Sequence, residues 1–105
     1  VIVQRYTIKA KPGRSQEVVD LILSEAKVQR DRGSHAHAFR AYTPQFSGQP
    51  ERQLLFEWEF EDLAHFQSWW DDWFAQSTSP AYLAKWHELV EQGTGTNEIW
   101  DLYTL

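Results

Sequence analysis

The side chains here that could do chemistry are four histidines, two alternating glutamates and a dense run of aromatic rings. In His-Ala-His, residues 35–37, His35 and His37 project from one face of an extended chain, as two ligands of a metal would. A third ligand, Glu57 or Asp101, would have to converge from another strand, and nothing in the spacing demands it. No metal is expected, and the pair reads as polar strand surface or as a hydrogen-bonding wall. His65 lies opposite the apolar stripe of its helix and reads as solvent-exposed. His87 borders such a stripe and can face either a cavity mouth or water. A neutral imidazole there would suit proton transfer at neutral pH. Glu57 and Glu59 alternate with apolar residues and face away from Trp58. Such charges need partners, and Arg5 and Arg40 are the available cations, most simply as an ion pair at a subunit interface.

The rings concentrate in "EFEDLAHFQSWWDDWF", residues 59–74, which holds Phe60, Phe66, Trp69, Trp70, Trp73 and Phe74. Leu63, Phe66, Trp70, Trp73 and Phe74 fall within a helical face roughly 100° wide, which reads as core, and Trp69 sits at its edge. Trp69, with Tyr82 and Trp86 of the following helix, is the candidate pocket wall, because Trp and Tyr join a large apolar surface to one polar tip. Phe56 and Trp58, on the apolar face of the preceding strand, extend the candidate binding surface. There is no nucleophile elbow, phosphate loop, dinucleotide fingerprint or zinc-protease helix, so nucleotide and hydrolase chemistries lack their usual motifs.

The elements that must position these groups are legible in order. "VIVQRYTIKA" sets Gln4, Tyr6 and Ile8 against Val3, Arg5 and Thr7, a strand that stops at Pro12-Gly13. Ser15 is placed to cap a helix running to about Arg32 and closed by Gly33, with Val18, Val19, Ile22, Leu23 and Ala26 on one face. "SHAHAFRAYT" and "RQLLFEWEF" alternate with period two around a long loop, "PQFSGQPE". Glu61 or Asp62 caps the aromatic helix, and "QSTS" breaks it. Ser79 and Pro80 then open a helix ended by Gly93, with the stripe Tyr82, Leu83, Trp86, Leu89 and Val90. The closing "NEIWDLYTL" is apolar on both faces, which predicts burial on both sides.

Strand, helix, strand, strand, helix with an added helix, strand is a ferredoxin-like split βαβ order, an α+β fold with a four-stranded antiparallel sheet. The 105 residues suffice for one domain, 1–105. Helices then cover one sheet face only, and a homodimer packed sheet to sheet is the expected cover for the other.

The "IKAKPG" turn, "FEWEFEDLAHFQSW" and "SPAYLAKW", in that order and spacing, resemble the dimeric α+β barrel superfamily, with its antibiotic-biosynthesis monooxygenase and NIPSNAP-like families, over nearly the whole chain. The resemblance implies a homodimer with a ligand cavity between sheet and helices in each subunit. It also implies a range of functions, because cofactor-free monooxygenases, haem-degrading enzymes, isomerases and proteins without known activity share the fold. In the haem-degrading branch, an Asn on the first strand, a Trp on the helix after the third and an axial His on the next helix carry the site. The matching positions here are Gln4, Trp69 and Trp86, so only the Trp is kept. His87 stands about 100° around the helix from the lost axial position.

The expected function is therefore binding of a planar, largely apolar small molecule, with cofactor-independent oxygenation as the enzyme reading. In that scheme Gln4, Tyr6 or His87 donates hydrogen bonds to an anionic phenol-like substrate. The alternatives are a non-catalytic binding or assembly protein of the NIPSNAP-like type, or a haem-binding protein without turnover. No cofactor is expected. A net charge of -5 without a run of Lys or Arg gives no footprint for nucleic acid or anionic membranes. No apolar run approaches the length of a membrane span. The absence of Cys is compatible with a cytoplasmic, reducing location, and the absence of an initial Met leaves room for a trimmed leader.

Overall fold

The computed structural model describes residues 1–33, 36–45, 53–76 and 80–105. Its elements are β1 (Ile2–Lys9), α1 (Ser15–Asp31), β2 (Ala38–Tyr42), β3 (Gln53–Phe60), α2 (Leu63–Gln76), α3 (Pro80–Leu89) and β4 (Thr96–Asp101). The strands form one sheet in the order β2-β3-β1-β4, antiparallel at every pairing. This is the expected α+β, ferredoxin-like arrangement with an extra helix before the last strand.

Period-two alternation decides what each strand gives to each side. Ile2, Gln4, Tyr6 and Ile8 of β1 share the helix-covered face with Leu54, Phe56, Trp58 and Phe60 of β3. Leu54, Phe56 and Phe60 are fully buried there, together with Val18 of α1, Leu89 of α3 and the adjoining Val90. The end of α3 is tied to the sheet by backbone bonds, Lys11 N–H to the Leu89 carbonyl at 2.9 Å and Glu91 N–H to the Lys9 carbonyl at 2.8 Å.

The helix ends refine the sequence expectations. Ser15 is the first residue of α1, not its cap. Arg14 holds the cap position without a capping side chain, and its guanidinium pairs with Glu17 of the first turn at 2.8 and 3.0 Å. Gly33 takes φ +83 just past the C-cap, the left-handed conformation that suits glycine. Asp62 caps α2, its Oδ1 accepting from the His65 N–H at 2.8 Å, while His65 Nδ1 accepts from the Glu61 N–H at 3.1 Å. His65 is thus part of the cap rather than a free surface residue, and its ring lies 4.9 Å from that of His37 and 5.2 Å from that of Phe60. The Ser79 cap and the loop from residue 46 to 52 lie outside the described residues.

The core stripe of α2 is rolled relative to the expected one. Trp69, placed at the edge by the sequence, is 5% exposed, whereas Leu63 and Phe74, placed in the stripe, are 62% and 49% exposed. The Asp62 cap and the buried Phe60 ring set this roll. Phe60 sits at the end of β3 and packs on Phe66 at 5.3 Å and Trp69 at 5.2 Å, so the face turned inward is 66, 69, 70 and 73.

No helix of the described residues covers the opposite sheet face. Glu57 there meets Arg5 at 3.2 Å and Arg40 at 3.1 Å, and Arg40 reaches Glu59 at 3.5 Å. The Tyr42 hydroxyl donates to Glu57 at 3.2 Å. Both acids thus find the cations expected for them. All six residues of β4 are exposed, so the two-sided burial expected of this strand is not met in the chain.

Candidate functional site

Between the helix-covered face and the helices lies a cavity of about 200 Å³. The sheet contributes Gln4, Tyr6, Trp58 and Asn97, α2 contributes Trp69, Trp70 and Trp73, and α3 contributes Tyr82, Leu83 and Trp86. Ile22, Glu25, Ala26 and Gln29 of α1 complete the lining.

Six of these rings form a nearly closed circuit. Trp58 packs on Trp69 at 5.7 Å, Trp69 stacks on Trp73 at 6.3 Å, and Trp73 meets Tyr82 edge-on at 6.2 Å. Tyr82 stacks on Trp86 at 6.4 Å, and Trp86 lies 6.3 Å from Tyr6. The gap between Tyr6 and Trp58 is where Gln4 stands, paired directly with Trp58 across the β1–β3 ladder. A hydrogen bond locks the deepest member, since the Trp69 indole N–H donates to Gln29 Oε1 at 3.1 Å inside the protein.

The polar groups of the lining are few and specific. Gln4 is 4% exposed and its Nε2 donates to Asn97 Oδ1 at 2.9 Å, but its Oε1 has no partner among the described residues. Leaving a buried acceptor unpaired costs about 1–3 kcal/mol, so such an atom invites a donor. Burial raises the Tyr6 phenol above its ordinary pKa. Tyr82 is pushed up further, by burial first and then by the Glu25 carboxylate and Tyr6. Both phenols therefore stay protonated at neutral pH, able to donate but not to act as bases. Tyr6 is held against the turn before β4, where a Cβ on Gly95 would come within 2.7 Å of its hydroxyl oxygen.

Of the residues singled out from sequence, Gln4, Tyr6, Trp58, Trp69, Tyr82 and Trp86 converge on this cavity. Phe56 and His87 do not. Phe56 is fully buried one pleat further along β3, packed on Phe39 and Trp58. His87 is exposed on α3, while Trp86 faces the cavity. His37 is exposed and lies 3.8 Å from Glu61, His35 lies outside the described residues, and no cluster of three metal-ligating side chains occurs among the described residues. Asn97, Trp73, Glu25 and Gln29 were not expected in the lining. A signal for the last two exists, because Ile22, Glu25, Ala26 and Gln29 follow helical spacing and turn polar just where the stripe leaves the core.

No family model matches the chain, and no curated protein does. Solved structures do. A NIPSNAP family protein from Agrobacterium tumefaciens superposes with a TM-score of 0.71 at 16% identity, over 93% of this chain and 89% of its own. An uncharacterized NIPSNAP domain protein from Burkholderia xenovorans gives 0.69 at 14% identity, over 98% and 95%. An antibiotic biosynthesis monooxygenase gives 0.61 at 13% identity, over 99% and 100%. At these identities the likeness is one of fold alone.

Proposed function

We propose that the chain is a small-molecule-binding protein whose ligand, flat and largely apolar, occupies the ring-lined cavity and donates a hydrogen bond to Gln4. The observation that carries this is the circuit of six rings with Gln4 in its gap, whose buried amide oxygen has no partner among the described residues. A core built for stability alone would place an apolar side chain at position 4. Size narrows the ligand, since a dry apolar cavity of about 150 Å³ takes benzene. About 200 Å³ suits one or two fused rings.

Binding ranks ahead of cofactor-independent oxygenation. That chemistry wants an electron-rich anion, and the described lining holds two phenols but one carboxylate and no cation. Haem is disfavoured by the same cavity, which is small for a macrocycle and turns Trp86 inward in place of an imidazole.

Calorimetric titration of the full chain with indole, quinoline and 2-naphthol tests the reading. Ala26→Leu, which fills the cavity from α1 and spares every ring, should abolish the heat of binding while the protein stays folded. Absence of binding by all three, or binding unchanged in Ala26→Leu, overturns it.

The functional unit in this proposal is a homodimer packed through the open sheet face. Support comes from Trp100, 51% exposed in the single chain, and from a surface of 6768 Å², against roughly 6,100 Å² for a monomeric protein of this mass. Light scattering should give twice the 12.4 kDa of the chain, and a stable monomer would refute it.

A further inference from the structure

The charge of the lining restricts the ligand more than its shape does. Glu25 is the only described lining residue with a formal charge, and it makes no ion pair with a described residue. No Lys, Arg or His is among the described lining residues. The Glu25 carboxylate is felt inside the site, because it helps to hold the Tyr82 phenol protonated after burial has done most of that work. The buried lining atom without a partner among the described residues, Gln4 Oε1, is also an acceptor.

The ring faces act in the same direction. An aromatic face is the negative part of its quadrupole and attracts a cation placed over it, most strongly for Trp and when water is excluded. Tyr82 and Trp86 stack at 14°, and Trp73 stands at 87° to Tyr82, so the wall near Glu25 offers faces in two orientations. The carboxylate, the ring faces and the Gln4 oxygen are therefore complementary to positive charge. An anion would meet a carboxylate and ring faces, with two phenol hydroxyls as its compensation.

We infer that the cavity takes a small organic cation, a protonated ammonium on a compact or flat apolar frame, held among the rings of Trp73, Tyr82 and Trp86 and neutralised by Glu25. This rests on the reading of the cavity as a binding site and gives it a ligand class. The net charge of -5 favours approach of such a ligand.

The test uses three probes of similar size: phenyltrimethylammonium, its neutral isostere tert-butylbenzene, and benzoate, each titrated into the full chain by calorimetry. Phenyltrimethylammonium should bind at least about tenfold more tightly than tert-butylbenzene, with benzoate weakest. Glu25→Gln should weaken the cation about fivefold and leave tert-butylbenzene unchanged. Equal affinity for the two isosteres, or tighter binding of benzoate, overturns the inference while the binding site itself stands. If none of the three probes binds and the neutral rings also fail, both readings fall. Should Glu25→Gln not fold, the ranking of the probes on the unaltered protein still decides.

Discussion

The two faces of the sheet are made by the same residues of β1 and β3 taken alternately, yet they solve opposite problems. On the helix side, Phe56, Trp58 and Phe60 alternate inward and close-pack, and one amide, Gln4, is left with an unpaired oxygen. On the open side, Glu57 and Glu59 are each matched by an arginine within 3.5 Å and remain partly wet. The comparison separates two kinds of polar group in one fold. On the open face charges stand where they are paired, whereas the cavity keeps Glu25 without an ion-pair partner and the Gln4 oxygen without a donor among the described residues, where a ligand can reach them.

The largest effect that should sharpen this contrast lies in the core. Phe56→Ala should cost about 3–5 kcal/mol by denaturant unfolding, because it removes a fully buried ring and leaves a void. Ligand affinity should change little in the fraction that stays folded, since Phe56 does not line the cavity. A loss under 1 kcal/mol would mean that this side is not close-packed. On the open side, Trp100→Glu should convert the proposed dimer to monomer, a change of several kcal/mol in association if the charge is buried unpaired. Its effect on the monomer should be slight, because Trp100 is half exposed there. Light scattering that still reports a dimer would place the interface elsewhere.

The smallest effect has the opposite sign. Gln4→Leu removes the buried unpaired acceptor at similar volume, so the ligand-free protein should gain up to about 1 kcal/mol. The same change should weaken a hydrogen-bond-donating ligand such as indole and spare naphthalene. A destabilised variant would show that the bond from Gln4 to Asn97 outweighs the unpaired oxygen.

Much of this contrast is written in the sequence at period two. The alternation of Leu54, Phe56, Trp58 and Phe60 with Glu57 and Glu59 reveals both faces and the need for Arg5 and Arg40 before any coordinates. What period two does not encode is depth along the strand, which is why Phe56 and Trp58 look equivalent while only Trp58 reaches the cavity. The helices carry a similar ambiguity of roll. The ring-rich stretch of α2 has apolar residues around much of its circumference, and the choice between Leu63 and Trp69 is made by Phe60 and the Asp62 cap, which act across elements. Asn97 joins the site through the β1–β4 pairing, a contact between residues 93 positions apart that no local pattern reports.

The spacing of the indoles has an optical consequence. Trp58, Trp69, Trp70 and Trp73 lie with centroids 5.7–6.5 Å apart along the chain of contacts, close enough for their transition dipoles to couple. Coupled chromophores in a fixed chiral arrangement absorb left and right circularly polarised light unequally, and the difference depends steeply on their mutual angles. The cavity wall is thus its own reporter. A guest that shifts Trp73 by a few degrees changes the near-ultraviolet dichroism without any label, and a fold that retains its helices but loses the circuit turns silent in that window.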